Sequence, residues 1–261
     1  MMNLVKFVML SELKRINNLT MPRKWYDAKV VSIDDLAPRI KSFKLKIQEN
    51  EAFEFMAGQF IVFDLPTGEK RLDRWRSYSI ASPPSDDRRF ELCIVHLDDG
   101  KGSSYFFEEV KVGTILKAKP PEGNFLIPSN TDQILVMICT GTGIAPFRSM
   151  IQDIYTRKLA FKKVHLIFGT RTFDDVLYYE EFKNLAQENK TFQYDITLSR
   201  ELKEGFNHGY VHHVYEQAYG QGSADITFLI CGWSNMVDEA SKNLIENLKY
   251  SQNNVIFELF G

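Results

Sequence analysis

Cysteine is scarce in this sequence: Cys93, Cys139 and Cys231 are the only three in 261 residues. They are odd in number, far apart and form no Cys-x-x-Cys pair. That argues against an iron–sulfur cluster, a structural zinc site or a disulfide framework, and no metal is expected. Scattered thiols fit a reducing cytoplasm, where their bland role is that of small buried hydrophobes. Long apolar runs are missing too. The opening stretch MMNLVKFVMLSELKRINNLT is broken by Lys6 and is too short to span a bilayer. No small-residue cleavage site follows it, so neither a membrane span nor a secretory leader is expected. Nor is there an excess of one charge: 32 Lys and Arg face 34 Asp and Glu. Near-neutrality argues against a nucleic-acid-binding face.

The remaining composition, 44% hydrophobic and 25% charged, is that of an ordinary globular protein. The length favours two domains with a sizeable core. Residues 1–23 are expected to be an extension, because patterned sequence begins only with MPRKWYDAKV. From Lys29 to about Leu126 the chain reads as short strands: AKVVSI, IKSFKLKI, QFIVFDL, RSYSIAS, FELCIVHL and TILKAKPP. PTGEK, SPPSDD and DDGKG mark loops between them, and SSYFFEEV is one helix candidate. Strands with little helix point to a closed or nearly closed antiparallel barrel.

After PEGNFLIPSNTD the pattern changes. Apolar strands QILVMICT, KVHLIFGT, FQYDITLS, DITFLICG and NVIFELF alternate with amphipathic stretches such as FRSMIQDIYTRK and SNMVDEASKNLIENLKY. That alternation predicts a parallel sheet covered on both faces. The expected fold is therefore α/β in two domains, an N-terminal antiparallel β-barrel over 24–128 and a C-terminal parallel α/β domain over 129–261.

Three strand ends of the second half carry unusual chemistry. In ICTGTGIAPFRS, Gly141 and Gly143 permit close backbone approach, so amides around Thr142 can face an anion at a helix N-terminus. The first strand end of a doubly wound sheet is where dinucleotides bind. Pro146 stands where the Rossmann fingerprint has its last glycine, and it suits a first helical turn. FGTRT puts Arg171 past one strand, and TLSRE puts Ser199 and Arg200 past the next. Two guanidinium groups and a hydroxyl on one sheet edge fit a ribose 2′-phosphate. No carboxylate for a bare 2′-hydroxyl stands at the second strand end, so NADPH is favoured over NADH. In CGWSNM, Cys231 and Gly232 fall near the same edge. Cys231 has two readings, a thiol beside the reacting atoms or a buried structural thiol; with no histidine adjacent in sequence, nothing marks it as a nucleophile.

Taken in order, RSYSIAS, GKGSS, PPEGNF, GTGIAP, FGTR, SRE, GYV and CGWSNM resemble the ferredoxin–NADP reductase superfamily across residues 24–261. The wording KAKPPEGNF with an ELF ending is similar to the reductase modules of phenylacetate-type oxygenases and of flavohaemoglobins. The resemblance implies a barrel that binds FAD, followed by an NAD(P)-binding domain. It implies that Arg76 holds the flavin phosphate and that Tyr78 packs on the isoalloxazine and bonds the ribityl chain. Ser79 would hydrogen-bond flavin N5. Ser77 is counted with the flavin contacts, although its own reading, like that of Ser82, is a turn or outward-facing residue. Gly102, Ser103 and Ser104 match the turn around the FAD pyrophosphate, and Ile94, Val95 and His96 the strand beside the ribityl and adenosine side. Thr142 would lie over the flavin–nicotinamide junction, with Cys231 and Gly232 beside nicotinamide C4. Arg171, Ser199 and Arg200 match the 2′-phosphate pocket of the NADP-specific branch. Tyr210 would stack near the adenine where bacterial relatives often carry Arg, a departure that counts against NADPH.

The four cysteines of the plant-type ferredoxin domain that often follows an ELF ending are absent. Phe260 either covers the flavin as a terminal aromatic or finishes a core strand. The implied activity is that of an oxidoreductase in which hydride passes from NADPH to FAD and single electrons pass to a separate carrier. Ser79 and Cys231 are the candidate catalytic residues, and hydride transfer itself needs no general acid–base pair. The acceptor is expected to be a ferredoxin, a flavodoxin or an oxygenase component. Arg23, Lys24, Arg71, Arg74 and Lys101 are a candidate docking patch for an acidic partner, or simply solvated charges. A monomer is expected. The alternatives are an NADH-linked oxygenase reductase and a non-catalytic flavin-binding electron-transfer subunit.

Overall fold

The computed structural model describes residues 24–222 and 225–260. The expected extension 1–23, Arg23 with it, and Gly261 lie outside the described residues.

Six strands form the first sheet: β1 (Tyr26–Ala37), β2 (Ile40–Ile47), β3 (Phe60–Asp64), β4 (Trp75–Ser79), β5 (Arg89–Val95) and β6 (Ile115–Ala118). They run antiparallel in the order β4-β3-β6-β1-β2-β5. Alternation selects the inner face, so Phe43, Leu45 and Ile47 of β2 and Phe90, Leu92 and Ile94 of β5 are buried. The sheet curls until its edges touch. Ile80 bridges Leu92, and the Ala81 N–H donates to the Glu91 carbonyl at 2.7 Å. Two short helices serve this barrel: α1 (Arg71–Arg74) leads into β4, and α2 (Lys101–Glu108) plugs one end. Phe106 of α2 packs edge-on against Phe43 at 5.0 Å and Phe63 at 5.8 Å.

The second sheet is wholly parallel, with β7 (Ile134–Thr140), β8 (Lys163–Thr170), β9 (Phe192–Leu198), β10 (Asn207–His208), β11 (Ile226–Trp233) and β12 (Val255–Phe260) in the order β10-β9-β8-β7-β11-β12. Helices α3 (Ile144–Thr156) and α4 (Tyr179–Glu188) contribute to the core on one face. Helices α5 (Val211–Tyr219) and α6 (Ser234–Lys242) contribute to the core on the other. The unbroken apolar runs of β7, β8 and β11 follow from this double cover. The α3–α4 face matters most for function, because its core also takes in Ala57, Ala81, Cys93 and Phe125 from the barrel side.

The expected six barrel strands and five longer parallel strands are all present. The sequence missed α1 and the two-residue β10. The amphipathic stretch DVLYYEEFKNLAQEN, a further helix candidate in the sequence, becomes helical only from Tyr179. Thr172 and Asp175 first close a capping box around a 3₁₀ turn, and Tyr178 then takes a left-handed conformation (φ 55°) that interrupts any helix. No helix of the described residues is long and apolar enough to cross a membrane.

Candidate functional site

The RSYSIAS stretch begins within β4 and ends where the barrel closes. Tyr78 is half-buried, its ring tilted against Phe63 at 6.1 Å and edge-on to Phe106 at 5.1 Å. Burial pushes its phenol pKa well up, so the hydroxyl stays protonated and available as a donor. Arg76 donates from Nη1 to the carbonyls of Leu72 (2.7 Å) and Trp75 (2.8 Å). No ion pair engages it among the described residues. The start of α2 is pressed against this pair: a Cβ on Gly102 would lie 2.7 Å from the Tyr78 hydroxyl and 2.8 Å from Arg76 Cγ. A guanidinium without a carboxylate, a phenol and a helix N-terminus in one place suit a phosphate-bearing, ring-bearing ligand.

Around that cradle the other expected flavin contacts divide. Ser104 is half-exposed in the first turn of α2. Ser103 is buried and its hydroxyl is used locally, accepting from Leu97 N–H (3.1 Å) and donating to the Gly100 carbonyl (3.0 Å). Ile94 points into the barrel core, Val95 packs against the core shared with the parallel sheet, and His96 stacks on Phe107 at 4.9 Å. Ser77 is exposed, as a turn or outward residue would be.

Two turns at the carboxyl edge of the parallel sheet interlock. Gly141–Gly143 form a 3₁₀ turn between β7 and α3, with Gly141 at φ +53°. A Cβ on Gly143 would sit 2.4 Å from the Cys231 carbonyl oxygen and 2.6 Å from Gly232 Cα. Only glycine permits this approach. Trp233 N–H reaches Thr140 Oγ1 at 3.4 Å from the other side. Thr142, at the top of the turn, is half-exposed.

Where the two sheets meet, Ser79 Oγ donates to Glu258 Oε1 at 3.3 Å. Glu258 lies on β12 in register with Cys231 of β11, which is in turn in register with Cys139 of β7. Parallel partners share a sheet face, so Ser79, Glu258 and Cys231 form one row across the contact between the sheets. Burial raises the Glu258 carboxyl pKa, against the opposing pull of the Ser79 hydrogen bond. Burial, with the Glu258 charge second, raises the Cys231 thiol well above its ordinary range. Cys231 is thus a fully buried, protonated thiol. Glu258 was missed in the sequence; its signal was a lone acid inside the apolar run NVIFELF. Phe260 is half-buried at the margin of the core, in register with the exposed Trp233.

The second cluster of expected residues lies at the ends of β8 and β9. Ser199 N–H donates to the Thr170 carbonyl (3.0 Å), and Arg200 N–H to the Arg171 carbonyl (2.9 Å). These bonds stitch the two strand ends together and bring Arg171, Ser199 and Arg200 to one corner. Both guanidinium groups are exposed and in no ion pair among the described residues. Glu201 anchors the neighbouring loop by accepting from Phe173 N–H at 2.7 Å. Tyr210, 67% exposed, stands at the N-cap of α5.

The docking patch is less charged than the sequence implied. Lys24 pairs with Glu51, Arg74 with Asp64 (2.7 Å) and Lys101 with Asp73 (2.6 Å). Arg71 instead stacks over Trp75 at 3.9 Å, with Lys119 also over that ring at 3.6 Å.

Comparison with known proteins agrees with this geometry. The oxidoreductase FAD-binding domain matches residues 27–127, and the oxidoreductase NAD-binding domain matches residues 137–242. Ferredoxin–NADP reductase B of Sorangium cellulosum is 31% identical over 220 residues, 81% of this chain and 88% of that protein. The phenol hydroxylase P5 protein of Acinetobacter pittii is 28% identical, the match covering 85% of this chain and 62% of that one. Among solved structures, the Amycolatopsis cytochrome P450 reductase GcoB superposes with a TM-score of 0.81 at 24% identity, covering 92% of this chain and 71% of that one. The chain belongs to the ferredoxin–NADP reductase superfamily of FAD- and NAD(P)-binding oxidoreductases.

Proposed function

We propose that the protein takes electrons from NADPH through FAD and passes them singly to a separate carrier, a ferredoxin, a flavodoxin or an oxygenase component. On this reading residues 24–128 hold FAD and 129–261 hold the pyridine nucleotide. The observation that carries it is the row Ser79–Glu258–Cys231, which joins the end of the flavin-cradle strand to the nucleotide edge of the other sheet. FAD, when bound, supplies the conversion of a two-electron donor into one-electron steps. The chain's own groups bind and orient. Arg76 and the α2 N-terminus, with Gly102 and Ser104, neutralise the phosphates. Tyr78 supports the ring and ribityl chain, and Ile94, Val95 and His96 supply the neighbouring strand. Ser79 faces the flavin edge, and Glu258, whose carboxyl pKa burial raises, orients its hydroxyl. Gly141, Thr142 and Gly143 face the nucleotide, while Cys231 and Gly232 form the apolar, water-excluding wall of the nicotinamide site. Phe260 closes the outer side.

Arg171, Ser199 and Arg200 support NADPH, since two unpaired guanidinium groups at one corner suit a 2′-phosphate. Tyr210, an exposed aromatic in the place of a further cation, favours a second reading in which NADH is the donor. The three buried, unpaired cysteines support a reducing, cytoplasmic location. The deciding experiment is anaerobic reduction of the purified holoprotein by NADPH and by NADH, followed by a screen of ferredoxins and flavodoxins as acceptors. Bleaching by NADPH with a higher kcat/KM than NADH is the expected result. Preference for NADH would overturn the pocket assignment, and no bleaching by either would leave a flavin-binding subunit without turnover.

A further inference from the structure

A buried cation joins the two halves by tying the end of the RSYSIAS stretch to the helix that follows the GTG turn. Arg148 lies in the second turn of α3, whose first turn follows Gly143 directly. Its Nη1 donates to the Ala81 carbonyl and to Glu91 Oε2, both at 3.1 Å. Its Nε donates to Glu181 of α4 at 2.9 Å, and its guanidinium lies over the Tyr178 ring at 4.3 Å. Ala81 is two residues beyond Ser79, at the point where β4 and β5 close the barrel. Glu91 is itself fixed: Ser42 Oγ (2.8 Å) and Tyr178 OH (3.2 Å) both donate to its Oε1. The Arg148 and Glu91 side chains are only 14% and 9% exposed. One rigid path therefore runs from Thr142 through the start of α3 to Arg148, Ala81 and Ser79.

We propose that Arg148 is a positioning residue for hydride transfer, holding the nicotinamide turn at a fixed distance from the flavin-facing Ser79 by clamping the barrel's closing strands to α3 and α4. This rests on the proposed NAD(P)H–flavin reading. A planar five-donor fork is needed, because a lysine ammonium is a point charge that does not reproduce this set of directed bonds. Displacing donor and acceptor by about 1 Å costs about a hundredfold in rate, with binding of each partner little changed.

The obvious variant, Arg148→Met alone, strands the Glu91 carboxylate in a buried site and risks misfolding. The test therefore uses Arg148→Met with Glu91→Gln, which removes the buried pair, keeps acceptors for Ser42 and Tyr178 and leaves the half-exposed Glu181 with Gln152 as its donor, and Arg148→Lys beside it. FAD content, NADP⁺ affinity, stopped-flow hydride transfer and flavin–nicotinamide charge-transfer absorbance are measured on each. Amide exchange is followed for segments 79–82 and 144–148. The expected result is retained FAD, NADP⁺ affinity within about threefold, hydride transfer slowed about a hundredfold, loss of the charge-transfer absorbance and faster exchange in both segments. Arg148→Lys should recover part of the rate. Wild-type-like transfer and exchange in the double variant would overturn the assignment while leaving the NAD(P)H–flavin reading intact. A wild-type holoprotein that neither nucleotide reduces would overturn that reading, and the positioning role with it.

Discussion

Ser79 and Glu258, 179 positions apart in sequence, meet at 3.3 Å across the contact between barrel and parallel sheet. Among the described residues the pair gives a half-buried carboxyl one side-chain donor and no cation, so its protonation state is coupled to folding.

Replacing Glu258 by Gln should make stability less dependent on pH. Burial raises the folded carboxyl above its ordinary value of 4.5, so the folded state holds the proton more tightly than the unfolded chain. The stabilisation from the protonated form is fully present below 4.5 and is lost as pH rises through the folded value. Melting temperatures followed from acid to neutral pH should coincide for the two proteins at the acid end. They should separate as pH rises, with Glu258→Gln the more stable at neutrality. A constant gap at every pH would contradict the coupling.

Two glycines of one turn should respond differently to alanine. Gly143 has the Cys231 carbonyl at 2.4 Å from its missing Cβ, whereas nothing lies within 4 Å of that position at Gly141. Gly143→Ala should cost about 3 kcal/mol or more by overpacking and weaken NADP⁺ binding. Gly141→Ala should cost about 1–2 kcal/mol, from the left-handed backbone alone. Urea unfolding with and without nucleotide separates the two.

Loss of the Arg200 guanidinium should be felt by NADPH alone. Charge-assisted hydrogen bonds to a phosphate predict a fall of about 10- to 100-fold in kcat/KM for NADPH after Arg200→Ala. NADH turnover should stay near wild type. Steady-state kinetics with both donors decide this, and an equal loss with each would remove the 2′-phosphate role.

The space at Gly102 is already taken by Tyr78 and Arg76. Gly102→Ala should push α2 off the RSYSIAS strand and weaken FAD binding by about 10- to 100-fold. Flavin released per polypeptide after denaturation reads this directly. Full occupancy would mean that this contact has no part in the cradle.

The chain's local rules were readable in advance, and its distant contacts were not. IKSFKLKI became β2 residue for residue, because Phe43, Leu45 and Ile47 alternate onto the barrel's inner face and leave little freedom in register. The GTG turn and the SRE corner were readable because strand ends bring adjacent residues to one edge. Arg148 gave no comparable signal, and Glu258 only that of a lone acid in an apolar run. Their partners lie 67 and 179 positions away. The ion pairs of Lys24, Arg74 and Lys101 with Glu51, Asp64 and Asp73 were unreadable for the same reason, since they exist only in the folded chain.

The position of β12 beside β11 at the sheet's edge orders events during synthesis. A growing chain emits the whole barrel, and most of the parallel sheet, before Glu258 appears. Domains tend to fold in that order as they emerge. The barrel's half of the Ser79–Glu258 contact is therefore in place before its partner strand exists, and the two domains are tied at this point only when β12 joins the sheet.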